Sequence, residues 1–161
     1  MEFQFRVEEI GEKDKTEISE FFKNAWGSDK VVSRGKLHSY KNLEGFFVKE
    51  NRKLIGIANY QIENGEMELV SLYCLIKKRG IGTALVEKVI GKAKQKNCKR
   101  LLAIVTNDNL KAMRFYQKLG FEICALHKNA VEESRKLKSK IPLTGADKIL
   151  IKHEIEFELK F

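Results

Sequence analysis

Apolar residues along the chain switch between two periodicities. Phe3, Phe5 and Val7 alternate with polar neighbours, which predicts a strand over residues 2–8 with one buried face. After a turn at residues 11–15, Ile18, Phe21 and Phe22 fall at helical spacing and predict a short amphipathic helix over residues 16–24, broken by Trp26-Gly27-Ser28-Asp29. Residues 30–44 are polar and mixed, with a turn at Arg34-Gly35 and only weak helical tendency over 37–43. The runs 45–50 and 53–62, joined by Asn51-Arg52, predict a hairpin with a two-residue connection. Asn64-Gly65 then turns the chain into a third antiparallel strand starting at Glu66.

The stretch 66–90 changes period half-way. Its first half is apolar and β-prone, a buried strand, whereas Ile81, Leu85, Val89 and Ala93, with Val86 and Ile90 beside them, mark one face of a helix over about 80–97. Residues 100–106 predict a buried strand, and Asn107-Asp108-Asn109 a turn that caps a helix over 110–119. Gly120 stops that helix, and residues 121–126 form the next strand. Residues 128–140 are highly charged, with Glu132 and Lys136 at helical pairing distance, and read as a solvated helix. A loop over 141–147 precedes Ile149, Ile151, Ile155, Phe157, Leu159 and Phe161, which fall in phase as a last strand with one apolar face. Without repeats, low-complexity tracts or linkers, residues 1–161 read as a single domain. The fold class is α/β (α+β), a mixed, mostly antiparallel central sheet of about seven strands flanked by helices.

Composition narrows the function classes. A chain of 161 residues with 43% hydrophobic residues can bury a substantial core. Its three cysteines, Cys74, Cys98 and Cys124, are odd in number and none lie at Cys-x-x-Cys spacing, so neither disulfides nor a metal site are expected, and a reducing compartment is the default. No signal peptide or membrane-length apolar run occurs, which predicts a cytoplasmic protein with no membrane partner. The net charge of +9 points to acidic ligands. The basic residues are scattered, with no basic–aromatic platform, so a polyanionic cofactor is expected rather than nucleic acid.

The charge concentrates chemically at Lys77-Lys78-Arg79-Gly80-Ile81-Gly82-Thr83, between strand and helix. A helix entered through such a turn leaves its first N–H groups unpaired at the positive end of the helix dipole, and glycines let a ligand approach the backbone. The simplest ligand for this arrangement is a phosphate or pyrophosphate. The plainer alternative is a glycine-rich corner with solvated lysines. A P-loop string is absent, and a dinucleotide fingerprint fails because Leu85 stands at its third glycine position.

One remaining design fits. Lys77 to Gly82 resembles the pyrophosphate loop of the GNAT acetyltransferases, [Gln/Arg]-x-x-Gly-x-[Gly/Ala], with Lys in the first position. Asn109, Ala112, Tyr116, Gly120 and Phe121 resemble the family's second signature, Asn-x-x-Ala-x-x-x-Tyr-x-x-x-Gly-Phe, at every fixed position. The two signatures cover about residues 66–122. One departure is that Tyr73 to Arg79 is about two residues shorter than in many members and lacks proline.

The resemblance implies a GNAT-like acyl-CoA N-acyltransferase fold with acetyl-CoA (coenzyme A) as cofactor. It implies pyrophosphate binding by Lys77, Lys78, Arg79, Gly80, Ile81, Gly82 and Thr83. By the same likeness, backbone groups near Cys74 and Leu75 hold the pantetheine arm. Asn109 caps its helix and contacts the same arm. Tyr116 then acts as general acid near the cofactor sulfur, although Ala112, Phe115 and Leu119 around it also make it a half-core residue. Glu68 is the candidate base, directly or through water, or else points to solvent; Glu66 shares its face further from the acetyl group. Trp26, Arg34 and Tyr40 fall where the family builds its acceptor wall, with residues 128–140 nearby, and ordinary packing is the alternative. His38 and His127 are candidate bases or substrate contacts, or surface residues. The implied activity is acetyl transfer to a primary amine of a small molecule or peptide by direct attack in a ternary complex. A CoA-binding sensor or scaffold without turnover is the alternative. The protein is expected as a monomer or homodimer.

Overall fold

Local turn chemistry sets half of the sheet. In the computed structural model, which describes residues 4–161, both residues of Arg34-Gly35, Asn51-Arg52 and Asn64-Gly65 have positive φ. Such turns match the right-handed twist of a hairpin. They join β2 (Lys30–Ser33) to β3 (Lys36–Ser39), β4 (Glu44–Glu50) to β5 (Lys53–Glu63), and β5 to β6 (Glu66–Cys74). Ahead of them lie β1 (Val7–Glu9) and α1 (Lys15–Trp26); after them come α2 (Ile81–Gln95), β7 (Arg100–Thr106), α3 (Leu110–Lys118), β8 (Glu122–His127), α4 (Ala130–Leu137) and β9 (Glu154–Lys160). The part of the first predicted strand at residues 2–3 lies outside the described residues.

Seven strands form one sheet in the order β1-β4-β5-β6-β7-β9-β8, with β2 and β3 as a separate hairpin. All pairings are antiparallel except β6 with β7. This is the mixed, mostly antiparallel sheet that the sequence predicts. No helix among the described residues is long and apolar enough to cross a membrane.

Four local expectations are corrected. Trp26 is the last residue of α1, and the break comes at Gly27 in the left-handed conformation. Residues 36–39 pair as a strand instead of leaning towards helix, because the Arg34-Gly35 turn returns them against β2; only Tyr40–Asn42 coil into a short 3-10 turn. Residues 149–153 do not join β9. The Asn107 side chain accepts from Lys152 N and His153 N and donates to Leu150 O, while Arg135 donates to Ile151 O, so these backbone groups are claimed outside the ladder. On α4, Glu132 pairs with Arg135 at 2.6 Å and Glu133 with Lys136 at 3.0 Å, in place of a Glu132–Lys136 pair.

Each sheet face has its own core. Ile81, Leu85, Val86, Val89 and Ala93 of α2 pack on one face with Ala58, Met67, Leu69, Leu101 and Phe157. Gly56 makes this approach close, since a Cβ there would lie 2.6 Å from Ile81 Cγ2 and 3.0 Å from Leu85 Cδ1. On the other face, Ile18 and Phe22 of α1 pack with Tyr40, Leu43, Phe47 and Ile57.

Two features of β6 shape the space between it and β7. Val70 is bulged out of the β5 ladder, where the pairing steps from Asn59 with Ser71 to Tyr60 with Leu69. The parallel pairing to β7 covers only Met67–Leu69 against Leu101–Ala103, and beyond it the strands part. Arg100 holds the paired end together. Its guanidinium donates to Glu66 at 3.0 Å, to Glu156 at 2.8 Å and to Glu158 at 2.9 Å, bridging β6 and β9 across β7. Burial alone would raise the Glu156 carboxyl, but hydrogen bonds from Arg100, His127 and Cys124 outweigh it and hold its pKa at about 2.

Replacing Arg100 by Leu strands three carboxylates in a mostly buried position and is expected to cost about 3 kcal/mol, a fall in Tm of roughly 10 °C. A depressed carboxylate pKa stabilises the fold above the ordinary value of 4.5 and loses that contribution as pH falls towards 2. The gap between wild type and Arg100→Leu therefore narrows from pH 7 to about pH 3. Equal Tm differences at the two pH values would refute the staple.

Candidate functional site

Where β6 leaves β7, a cleft of about 850 Å³ opens. Its walls are residues 69–78 from β6 and the turn after it, the start of α2, Ile104 to Thr106 of β7, and Asn109, Lys111, Ala112, Phe115 and Tyr116 at and along α3.

At the α2 wall, Gly80 is the N-cap residue, its φ of 75° is left-handed, and no side chain caps the helix. A hydrogen bond from Ala84 N to Gly80 O is the first of the helix, so the N–H groups of Ile81, Gly82 and Thr83 have no helical acceptor. Gly82 keeps that end open: a Cβ there would stand 3.3 Å from Cys74 Sγ and 3.5 Å from Phe115 Cζ. Lys77 and Lys78 line the cleft. Arg79 does not; its guanidinium lies 3.9 Å from Glu50.

The β6 wall offers a strand edge. Leu75 N–H donates to Ile55 O at 2.8 Å, which makes Cys74 and Gly56 a non-hydrogen-bonded pair of the antiparallel ladder. The backbone groups of Cys74, and by alternation of Leu72, therefore turn to the gap that β7 has left. Of the two residues expected there, Cys74 presents its backbone, whereas Leu75 commits its N–H to β5.

The α3 wall carries the second signature. Asn109 Oδ1 accepts from Ala112 N at 3.1 Å and caps the helix. Tyr116 is 7% exposed, with Phe115, Phe121 and Phe157 ringing it at 5.3, 5.3 and 6.0 Å between centroids. Its hydroxyl makes no hydrogen bond among the described residues. Burial, with Cys74 adding to it, pushes its ionisation well above the ordinary phenol value. Burial also pushes the Cys74 thiol up to about 11, against an opposing pull from Lys77. Both groups stay protonated at neutral pH.

Glu68 does not line this space. It is buried on the opposite side of β6, where Ser33 Oγ donates to Oε1 and Gln61 Nε2 to Oε2 at 3.4 Å. Glu66 is taken by Arg100. His127 lies 3.0 Å from Glu156, and His38 Nε2 is buried without a hydrogen bond among the described residues. Arg34 sits exposed at the β2–β3 turn. Trp26 is 45% exposed and its ring lies 5.9 Å from Tyr73, itself a cleft residue. Lys138, just past α4, donates to Lys30 O at 3.1 Å, so the charged segment rests against β2.

Sequence reasoning missed Val70, Ser71 and Ile104 as cleft residues, because a bulge and a strand separation leave no mark on periodicity. Phe115 beside Tyr116 carried a usable signal, since a helix that presents one to the cleft brings the other to its rim.

Comparison with known proteins agrees with this geometry. The profile described as "Acetyltransferase (GNAT) family" matches residues 13–121. The uncharacterized protein YdhI of Bacillus subtilis is 40% identical over 141 residues, covering 87% of this chain and 88% of that protein. Among solved structures, a GNAT family acetyltransferase from Elizabethkingia anophelis with acetyl-CoA bound superposes with a TM-score of 0.71 at 20% identity, covering 98% of each chain. A Bacillus subtilis acetyltransferase in complex with CoA gives 0.70 at 17% identity, covering 98% of this chain and 99% of that one. The profile match over residues 13–121 shows that the chain belongs to the GNAT acetyltransferase family, whose cofactor is acetyl-CoA.

Proposed function

We propose that the protein is an acetyl-CoA-dependent N-acetyltransferase that acetylates a primary amine by direct attack in a ternary complex. The observation that carries this reading is that one cleft joins the uncapped start of α2 to the buried Tyr116 through the parted edge of β6.

The residues present fit the cofactor. The N–H groups of Ile81, Gly82 and Thr83, with Gly80 setting the turn and Lys77 and Lys78 alongside, would hold its pyrophosphate. Backbone groups of Leu72 and Cys74 would pair with the pantetheine amides as a missing strand would, and Asn109 borders that arm. Bound acetyl-CoA supplies a thioester, an acyl group activated towards nucleophiles. Tyr116 Oη would hydrogen-bond to the departing sulfur and supply its proton; burial keeps the hydroxyl protonated at neutral pH and so available as a donor. Glu68, held off the cleft by Ser33 and Gln61, takes the amine proton only through an intervening polar group, and an amine that arrives neutral does not require it.

Gly82→Glu places a carboxylate where the pyrophosphate would lie and crowds Cys74 Sγ. Calorimetry is expected to show acetyl-CoA affinity falling at least about 100-fold, since a charge clash and a lost cradle together exceed about 2.7 kcal/mol. Unchanged affinity in a folded variant would refute the cradle. Tyr116→Phe is expected to lower kcat about 100-fold or more, the range for loss of a general acid, with acetyl-CoA affinity preserved. An unchanged kcat would remove Tyr116 from the chemistry. Acetyl-CoA binding by wild type without turnover across a broad amine panel would favour a CoA-holding module instead.

A further inference from the structure

The cleft has a second side. Leu72 and Cys74 of β6 face the α2 core, whereas Val70 and Tyr73 pack into the α1 core. The start of α2 and Tyr116 lie on the first side, so a second substrate meets the reacting centre from the α1 side.

Two kinds of group stand there. The first is an aromatic wall: Tyr73 meets Phe21 edge-on at 4.9 Å and Trp26 at 5.9 Å, and Trp26 leaves nearly half its surface open. The second is a neutral polar floor. Ser71, a cleft residue that is 8% exposed, donates to Asn59 Oδ1 at 3.0 Å. Asn59 is 0% exposed, yet its Nδ2 has no hydrogen bond. Tyr40, stacked on Phe22 at 3.7 Å and 1% exposed, has the Ser71 hydroxyl as its hydrogen-bonding neighbour, but the two are too poorly aligned for a full bond. Of the three buried side-chain polar atoms left unpaired among the described residues, two flank Ser71. Buried polar atoms are rarely left unsatisfied, so an under-satisfied pair around Ser71 marks a place for a hydrogen-bonding partner.

The charge pattern selects the partner. Glu68, the nearest carboxylate along β6, is capped by Ser33 and Gln61 and does not line the cleft. No carboxylate lines the cleft, so a second ammonium would find no counter-ion; its cations, Lys77, Lys78 and Lys111, belong to the turn before α2 and to α3, not to this floor.

We propose that the α1 side of the cleft is a pocket for an amine with a flat apolar body and one neutral hydroxyl near the nitrogen. The body lies against Trp26 and Tyr73, and the hydroxyl meets Ser71, the polar residue that lines the cleft, with Asn59 and Tyr40 behind it. Polyamines and zwitterionic amino acids are disfavoured. The assignment rests on the acetyltransferase reading above.

Trp26 is the only tryptophan of the chain, so its emission reports the pocket without turnover. Titrating 2-amino-1-phenylethanol into the CoA-saturated protein is expected to give a saturable change in emission that putrescine and alanine do not give. Binding of 2-phenylethylamine, which lacks the hydroxyl, is expected to be about tenfold weaker, the effect of one hydrogen bond of about 1.4 kcal/mol. Tyr40→Phe keeps the stacked ring, and it or Ser71→Ala should erase most of that preference. In transfer assays Trp26→Ala should raise KM for 2-amino-1-phenylethanol several-fold, with KM for acetyl-CoA unchanged.

An emission that does not respond, putrescine bound as well as 2-amino-1-phenylethanol, or a hydroxyl preference that survives both variants would overturn the proposal. A saturable response without acetyl transfer would uphold the pocket and overturn the transfer reading instead.

Discussion

A parallel pairing that lasts three residues and then fails organises this molecule. Beyond Leu69 and Ala103, β6 and β7 diverge, and the backbone groups of Leu72 and Cys74 lose the ladder partners a continuous sheet would give them. Such groups cost free energy in an interior unless something else pairs with them. The parting is therefore maintained, not tolerated. The Val70 bulge re-aims β6, Phe115 and Tyr116 occupy the gap from α3, and β9 occupies the far edge of β7 along its whole length. Arg100 shuts the other end. A sheet that is stapled at one end and wedged at the other keeps a slot open along the edge of β6, where its free backbone groups face the cleft.

Charge follows the same axis. The chain carries a net +9, yet Glu66, Glu68, Glu154, Glu156 and Glu158 sit partly or wholly buried around one sheet face. Each is engaged: Arg100 holds Glu66, Glu156 and Glu158, Ser33 and Gln61 hold Glu68, and Ser134 donates to Glu154. Burial, with Glu68 adding to it, pushes the Glu154 carboxyl up, which lessens the repulsion between those two. The positive charge that acts on a ligand is left to Lys77 and Lys78 beside the α2 dipole. Lys111 of α3 adds a third cation to the cleft walls, and no carboxylate lines them.

What the sequence revealed and what it hid divide by range. Asn51-Arg52 and Asn64-Gly65 carry their turn chemistry in two residues, and both hairpins form as that chemistry dictates. The uncapped glycine turn and the Asn109-to-Phe121 signature are equally local, and both border the cleft. Other features needed distant partners. Glu68 was undecided between base and solvent because its fate depends on Ser33, 35 residues away, which covers it. Residues 149–153 keep an in-phase apolar pattern, but Asn107 and Arg135 claim their backbone before a ladder can. Residues 36–39 became a strand because the turn before them delivered a partner. Periodicity shows which side chains want burial; it does not show which backbone groups are already spoken for.

The distribution of protons gives the site its direction. Tyr116 is buried, Cys74 near it is half-buried, and both are shifted upwards, so both hold their protons through the neutral range. The carboxylate best placed to take a proton is held outside the cleft by two hydrogen bonds. A space lined by donors and short of bases favours a reaction whose developing negative charge lies inside and whose proton loss occurs elsewhere. The proposed attack of an amine on a thioester would have this form, with charge building on sulfur near Tyr116 and the nitrogen's proton leaving towards the α1 side. The same proton balance weighs against a covalent intermediate on Cys74: a thiol that burial keeps protonated, with Lys77 only partly opposing it, is a poor nucleophile in the position where it would be needed.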